Sequence, residues 1–470
     1  MYKHKSGLMF RTKPWKHQIK ALQYLYTRNC GALYTTMGTG KTKVMIDLIN
    51  NRDFKCVLII CPLNVCGVWV NQFKIHSVNQ NINVVNLSNY SSNEKVTLLT
   101  KTLANPAKNT VFIVNYDSVW REPFRAKVLK TPFDCIICDE SHRIKTPSSK
   151  VSSFMALLGK RCPNRYLMTG TPIAQEPSDI YAQYKFLEPS IFGTNIDRFR
   201  ERYENLDIWR TSEVGYRVLD EDNPYKNTEE LHNKMFSIAV NVESDLVLPE
   251  YNDIFIDVKL NGEVNRIDQE LRKTAVHSDA EWFLNVQNVL ALQVRLQQLT
   301  SGFVQLEDFD KNKKLKKVDD SKQKALKELL TDMSPTEPVV IFARFRADID
   351  NIKEVLNKLN RSYSEVSGET RELEEWVGGT TTDLIVQIQS GAEGIDLTRA
   401  RYAVYYSQTR ALSQYLQSRK RLHRPGQVRP VTYYHLVGKL NRGHSIDERI
   451  YMAHEANESV IKAIMRDGLI

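Results

Sequence analysis

Between two apolar stretches of this chain lies Thr35-Thr36-Met37-Gly38-Thr39-Gly40-Lys41-Thr42. A glycine-lysine turn in that position leaves few options for the fold around it. The run before it, Gly31-Ala32-Leu33-Tyr34, reads as a buried strand; Lys43-Val44-Met45-Ile46-Asp47-Leu48-Ile49 after it reads as a helix with an apolar face. Strand, glycine turn and helix in that order make a phosphate cradle. Gly38, Thr39 and Gly40 let backbone N–H groups converge on phosphate oxygens, and the helix N-terminus adds a favourable dipole. Lys41 is then placed to reach the β- and γ-phosphates of a nucleotide, and the Thr42 hydroxyl to ligate Mg²⁺. Thr35 stands where the full Walker pattern has its first glycine. The competing reading is a glycine turn that happens to precede Lys-Thr, and the rest of the chain has to decide.

The bulk properties narrow the setting. A chain of 470 residues allows two or three domains, and 42% apolar with 26% charged residues is the balance of a soluble globular protein. The formal net charge of +10 supports a polyanionic partner. The longest apolar stretch, 56–70, is interrupted by Pro62 and Asn64 and is too short to span a bilayer. The basic start, Met1-Tyr2-Lys3-His4-Lys5, lacks the apolar core of a signal peptide, so a cytoplasmic, reducing compartment is expected. Of the seven cysteines, Cys135 and Cys138 have CxxC spacing within an apolar run. On a strand, residues three apart face opposite sides, so that pair cannot share a metal, and no structural zinc is expected.

Apolar runs and helical stretches alternate through the first part of the chain. After the cradle come strand-like runs at 55–61, 82–85, 111–114, 133–138 and 165–168, with helical pieces at 68–73, 94–103 and 151–158. Such alternation argues for an α/β fold with a parallel sheet covered on both faces, placed at residues 1–190. From 191 to 320 the rhythm changes. Aromatic and charged residues mix, a long helical pattern covers 281–296, and a largely helical insertion is expected. It ends in a tract with eight lysines between 311 and 327, read as a solvated linker or as a phosphate-tracking face. Alternation resumes with runs at 338–342, 383–388, 402–406 and 431–436, a second parallel α/β domain at 321–470 without a cradle of its own.

Three further clusters carry chemistry. In Cys138-Asp139-Glu140-Ser141-His142, at the end of a buried strand, Asp139 can hold Mg²⁺ and Glu140 can activate a water against a γ-phosphate. The hydroxyls of Thr169 and Thr171, in Thr169-Gly170-Thr171-Pro172, can relay the state of that phosphate to the rest of the fold. In Gln417-Ser418-Arg419-Lys420-Arg421-Leu422-His423-Arg424-Pro425-Gly426-Gln427, a helix would put Gln417, Arg421 and Arg424 on one face, offering Arg421 and Arg424 as arginine fingers.

In this order the clusters resemble the Swi/Snf family of helicase-like ATPases in superfamily two, over nearly the whole chain, in a minimal form like phage or bacterial DNA translocases. His17-Gln18 is similar to the family's glutamine motif, which implies that Gln18 reads adenine. Residues 37–42 match motif I, 60–62 with Trp69 motif Ia, and 139–142 motif II, with Lys145 in its basic tail. Asn115-Tyr116 matches the segment that touches the nucleic-acid backbone. Thr169 to Pro172 is motif III, with His142 joining Thr169 and Thr171 in coupling; Arg344 falls in motif IV. Motif V follows Ser390 and includes Gly394 and Asp396, where Asn is frequent in the family; 417–427 is motif VI, and 445–450 is similar to the closing segment. The resemblance implies two RecA-like lobes with ATP and Mg²⁺ in the cleft between them and duplex DNA across both. It makes Asn115, Tyr116, Lys145, Arg344 and Ser390 candidate DNA contacts, and Gln18, Gly394, Asp396 and Gln417 nucleotide contacts. It also implies that 191–320 forms protrusions around the DNA path. Thr35-Thr36 replace the family's usual Asp-Glu, and Ser141 a common Ala or Gly.

The function expected is a DNA-dependent ATPase that moves along, or remodels, duplex or branched DNA. Three alternatives stay open at this point: a strand-separating DNA or RNA helicase, a remodeller of a protein bound to DNA, and a non-hydrolysing nucleic-acid clamp. A protein partner is compatible with all of them; no membrane is expected.

Overall fold

The computed structural model describes residues 1–470 apart from 36–37, 105–108, 174–175, 211–214, 220–224, 243–247, 275, 280–281, 286–288, 308–312, 392–394 and 467–470. Side chains are also left aside at 206–210, 215–219, 274, 276–279, 282–283, 285, 289–290, 390–391, 460, 462–464 and 466. The chain forms two compact units, Met1–Leu246 with Asn457–Ile470, and Val247–Ala456.

The first unit is built on a seven-stranded sheet. Its order is Ala239–Val240, Cys30–Tyr34, Asn164–Thr169, Cys135–Asp139, Cys56–Cys61, Thr110–Asn115 and Asn83–Asn86, and every pairing is parallel. The central strands are buried along almost their whole length, which is why they read as unbroken apolar runs. Alternate residues feed cores on opposite faces. Ile136 and Cys138 pack into one, Cys135 and Ile137 into the other, so the CxxC pair is split as its strand period requires. Helices Lys41–Arg52, Cys66–His76 and Ser178–Leu187 follow carboxyl ends of this sheet. The carboxyl ends of Cys30–Tyr34, Cys135–Asp139 and Asn164–Thr169 therefore lie side by side, where open parallel sheets bind ligands.

The second unit repeats the plan with six strands in the order Tyr251–Lys259, Val431–Lys439, Tyr402–Tyr405, Val339–Ala343, Asp383–Gln387 and Tyr363–Val366, again all parallel. A four-stranded antiparallel sheet, Val276–Asp279, Trp282–Asn285, Phe303–Glu307 and Lys313–Lys317, accompanies it. Two buried ion pairs tie this unit internally. Arg361 grips Asp383 with two hydrogen bonds of 2.6 and 2.8 Å, and Lys322 reaches Asp447 at 2.7 Å while Thr300 and the Gly438 N–H satisfy the same carboxylate.

The stretch 191–320 differs from the largely helical insertion expected of it. It is divided between the units, lends Ala239–Val240 to one sheet and Tyr251–Lys259 to the other, and holds strands as well as helices. The helix expected over 281–296 starts at Val289, and Trp282–Asn285 is a strand. Its aromatic content favours extended backbone over a helix's first turns. The lysine tract contributes Lys313–Lys317 as an edge strand and then opens the helix Ser321–Thr331. Lys313, Lys316 and Lys317 lie near Glu307, Glu263 and Glu354 at 3.2–3.8 Å, so much of its charge is met locally.

Candidate active site

The cradle is held open by backbone geometry that only glycine adopts freely. Gly38 and Gly40 have φ of +81° and +79°, and a Cβ on Gly40 would run into the Gln18 side-chain amide. Thr42 is the second residue of the helix Lys41–Arg52. Lys41 Nζ donates to the Thr35 carbonyl at 3.0 Å, and the Thr35 and Thr39 hydroxyls pair at 3.0 Å. The Gln18 amide and the His17 ring both bond the Thr39 carbonyl, at 3.0 and 2.9 Å, while Gln18 Oε1 accepts from the Trp15 N–H. Gln18, expected to read adenine, uses these groups to hold the loop. Thr36 and Met37 lie outside the described residues.

Two strands along the sheet, past Asn164–Thr169, Asp139 is the last residue of Cys135–Asp139 and is buried. Two residues that motif spacing alone does not connect to it hold it from either side. Trp69 Nε1 donates to Asp139 Oδ2 at 2.8 Å, and the Tyr116 hydroxyl donates to the Asp139 carbonyl at 2.8 Å. Burial, and then the charge of Glu140, push the Asp139 carboxyl above its ordinary range, against the pull of Trp69 and Lys41. Glu140 itself has a left-handed backbone, φ +51°, a strain of roughly 1–3 kcal/mol that the surrounding contacts must sustain. Thr169 Oγ1 donates to Glu140 Oε2 at 3.2 Å, His142 Nδ1 approaches Thr169 Oγ1 at 3.2 Å and Glu140 at 3.4 Å, and the Thr171 N–H caps Thr169 Oγ1 at 3.1 Å. Thr169, Thr171 and His142 thus meet around the Glu140 carboxylate.

Mg²⁺ fits this donor set. Asp139 is a buried carboxylate held by one neutral donor, and a single carboxylate is the sparse protein coordination of an ion that keeps waters and phosphate oxygens. Among the described residues no group of three or more His, Cys, Asp or Glu could form a full metal cage.

In the second unit, Gln417 and Arg421 lie on the helix Leu412–Leu422, but Arg424 lies beyond its end. The i, i+4, i+7 face expected of these three therefore covers only Gln417 and Arg421. Pro425 follows Arg424, and the residue before a proline is biased away from helix. Arg424 Nη1 sits 3.7 Å from Asp396 Oδ2, its Nε is buried without a hydrogen-bond partner, and the Leu397 N–H donates to the Arg421 carbonyl at 3.1 Å. Motifs V and VI are thus fastened together; Gly394 lies outside the described residues.

Arg419, which motif spacing does not single out, anchors this helix. Its guanidinium makes two bonds of 2.9 and 2.8 Å to Asp253, on Tyr251–Lys259, and lies 4.5–5.4 Å from the ring centres of Tyr251, Tyr415 and Tyr433. His435 completes the cluster. It bonds Asp253 at 2.9 Å and the Tyr451 hydroxyl at 3.0 Å, and stacks between Tyr405 and Phe255.

The candidate DNA contacts have these partners within the protein. Asn115 and Tyr116 are buried at the end of an inner strand, Asn115 accepting from Ser118 at 2.6 Å and Tyr116 bonded to Asp139. Lys145 lies 3.2 Å from Asp179, and Arg344 bonds Gln297. The Ser390 side chain lies outside the described residues.

The cradle, the paired acids two strands along and the two arginines are the signature of a P-loop protein of the helicase type. The SNF2-related domain matches residues 17–327, and the helicase conserved C-terminal domain 321–426. The chain belongs to the SNF2-related family. It is 23% identical to the human DNA repair and recombination protein RAD54B, over 97% of this chain and 55% of that protein. It is 22% identical to the Saccharomyces cerevisiae DNA repair and recombination protein RDH54, over 88% and 46%. A Mycoplasma pneumoniae uncharacterized ATP-dependent helicase is 23% identical over 93% and 40%. The chain spans about half the length of these curated relatives. Among solved structures, the Sulfolobus solfataricus SWI2/SNF2 ATPase core in complex with dsDNA aligns over 91% of this chain and 88% of that one, at 17% identity and a TM-score of 0.44. Among the described residues no helix is long and apolar enough to cross a membrane.

Proposed function

We propose that the chain hydrolyses ATP in response to duplex or branched DNA and uses that cycle to move along or remodel the DNA. The observation that carries the reading is the Glu140 carboxylate, held by Thr169 one strand from a glycine cradle whose lysine rests on a carbonyl oxygen. Phosphate oxygens can take over that carbonyl's place, so Lys41 moves from Thr35 to the β- and γ-phosphates. Glu140 orients the attacking water and takes its proton, with Thr169 and His142 fixing the carboxylate. Mg²⁺, held through Thr42 and Asp139, would supply charge neutralisation on the phosphates. Arg421 and Arg424, delivered by the second unit, neutralise charge on the departing γ-phosphate. The stretch 191–320 takes part in guiding DNA, and the net charge of +10 makes its grip salt-sensitive.

The test measures ATP turnover and strand release with plain duplex, single strand, fork and four-way junction. Strong stimulation by duplex or junction without release of single strands is expected. Lys41→Ala and Glu140→Gln are expected to abolish stimulated turnover, by roughly a hundredfold or more, while leaving the fold intact. Release of strands from a blunt partial duplex supports the helicase reading instead, and absence of any stimulation supports the clamp.

A further inference from the structure

The helix Ser178–Leu187 lies behind motifs II and III and carries none of the expected site residues. Yet its Gln183 side chain is fully buried and spends every hydrogen-bonding group on the site's scaffold. Gln183 Oε1 accepts from the Ser141 hydroxyl at 2.7 Å, immediately after Glu140 in the chain. Gln183 Nε2 donates to the Pro172 carbonyl at 2.7 Å, at the end of motif III, and to the Asp179 carbonyl one turn back at 2.8 Å. The amide orientation is forced: two carbonyls face the nitrogen and a hydroxyl faces the oxygen. Ser141 is itself completely buried, so its hydroxyl has to be matched inside the protein. Four residues earlier on the same helix face, the nearly buried Asp179 meets Lys145, from the tail of motif II, at 3.2 Å.

We propose that Gln183 is a positioning residue for hydrolysis, bridging the turn that carries Glu140 to the turn that carries Thr169 and Thr171. Glu140 holds a strained left-handed backbone and shares a hydrogen bond with Thr169 across the two strand ends. Its carboxylate keeps its aim only while those ends stay in fixed relation. The Ser141–Gln183–Pro172 bridge fixes that relation from the side away from the carboxylate, and Asp179–Lys145 braces the following turn. The serine at 141 and the glutamine at 183 are thus one device, forty-two positions apart in sequence.

This inference rests on the ATPase reading, and the experiment separates the two. ATP turnover per bound nucleotide is measured with saturating duplex DNA for wild type, Ser141→Ala, Gln183→Met and the double variant. Binding of a fluorescent ATP analogue supplies both affinity and the fraction of competent sites. Each single variant is expected to lower kcat about five- to tenfold, with nucleotide affinity changed less than twofold. The double variant is expected to be no slower than Gln183→Met, because the two groups act through each other. Gln183→Glu keeps the shape and the acceptor for Ser141 but sets a carboxylate against two carbonyls, and should be as slow as Gln183→Met. Turnover per competent site within twofold of wild type in both single variants overturns the proposal, as does a double variant whose losses multiply. Loss explained by fewer competent sites alone also overturns it, since that is a folding role. A wild-type protein that binds the analogue and hydrolyses nothing overturns the ATPase reading instead.

Discussion

In the first unit, the groups at adjacent strand ends are held by hydrogen bonds with neutral partners: Trp69 donates to the Asp139 carboxylate and Tyr116 to its carbonyl, Thr169 donates to Glu140, and Gln183 accepts from Ser141. In the second, the helix carrying Gln417 and Arg421 is held by a charge, the Arg419 guanidinium bonded to Asp253 among three tyrosine rings. The contrast follows from what each side must aim. A carboxylate meant for a metal cannot be pinned by a competing cation without losing its charge to it, so neutral donors orient it. An arginine meant for a phosphate can be placed by anchoring a neighbour on its own helix, as Arg419 does for Arg421.

That contrast can be broken from either side. The largest effect is expected from Trp69→Phe, which keeps the ring and removes the donor to Asp139. Such partners of metal ligands typically contribute ten- to a hundredfold, so the Mg²⁺ concentration for half-maximal turnover should rise about tenfold. A metal titration of ATP turnover checks this; an unchanged requirement would mean that Trp69 only packs. Next, Arg419→Met should keep the apolar stem while leaving Asp253 only His435 as a partner. The pair is only partly shielded, with side chains 15% and 26% exposed, so a loss of roughly 2–3 kcal/mol is expected, below that of a fully buried pair. Denaturant unfolding followed at the second unit's tyrosines reads it, and kcat should fall more than nucleotide affinity.

The smallest effect concerns acid. Burial holds the His435 imidazole below its ordinary 6.5, an effect only partly offset by Asp253. The unfolded chain therefore takes up that proton first, and stability is lost as pH falls below 6.5 toward the folded value. The slope from one proton is at most about 1.4 kcal/mol per pH unit. Asp253, held low by His435 and Arg419 despite its burial, acts in the same direction at still lower pH. Melting temperatures between pH 7 and 5 should fall less steeply in His435→Gln than in wild type. Equal slopes would remove His435 from the acid response.

The inner strands were legible because a parallel sheet buries both faces, so 56–61 and 135–138 could be read as apolar runs without knowing their neighbours. The edges were not. Tyr251–Lys259 mixes Asn252, Asp253 and Lys259 among its apolar residues because much of it is exposed, and Ala239–Val240 is too short for any period. Within the site, Lys41, Asp139, Glu140 and Arg421 announce themselves by chemistry and local spacing. The residues that hold them do not: Trp69 lies 70 positions from Asp139 and Asp253 lies 166 from Arg419, and no local pattern encodes such pairings. Asn115 and Tyr116 show a related limit: their bonds to Ser118 and Asp139 cannot be read from the motif in which they sit.

The pairing of Tyr251–Lys259 with Val431–Lys439 also bears on how the chain is made. Every strand of the first sheet has been synthesised by Val240, so that sheet can assemble while translation continues. Tyr251–Lys259 has its hydrogen-bonding partner only after roughly 170 more residues, which at about 5–20 residues per second is a wait of about 10–30 s. During that interval Ile254 and Phe255, which keep much of their surface exposed even in the finished unit, belong to a strand with no sheet to join. The second unit's vulnerable moment thus falls on the ribosome, before its sixth strand exists.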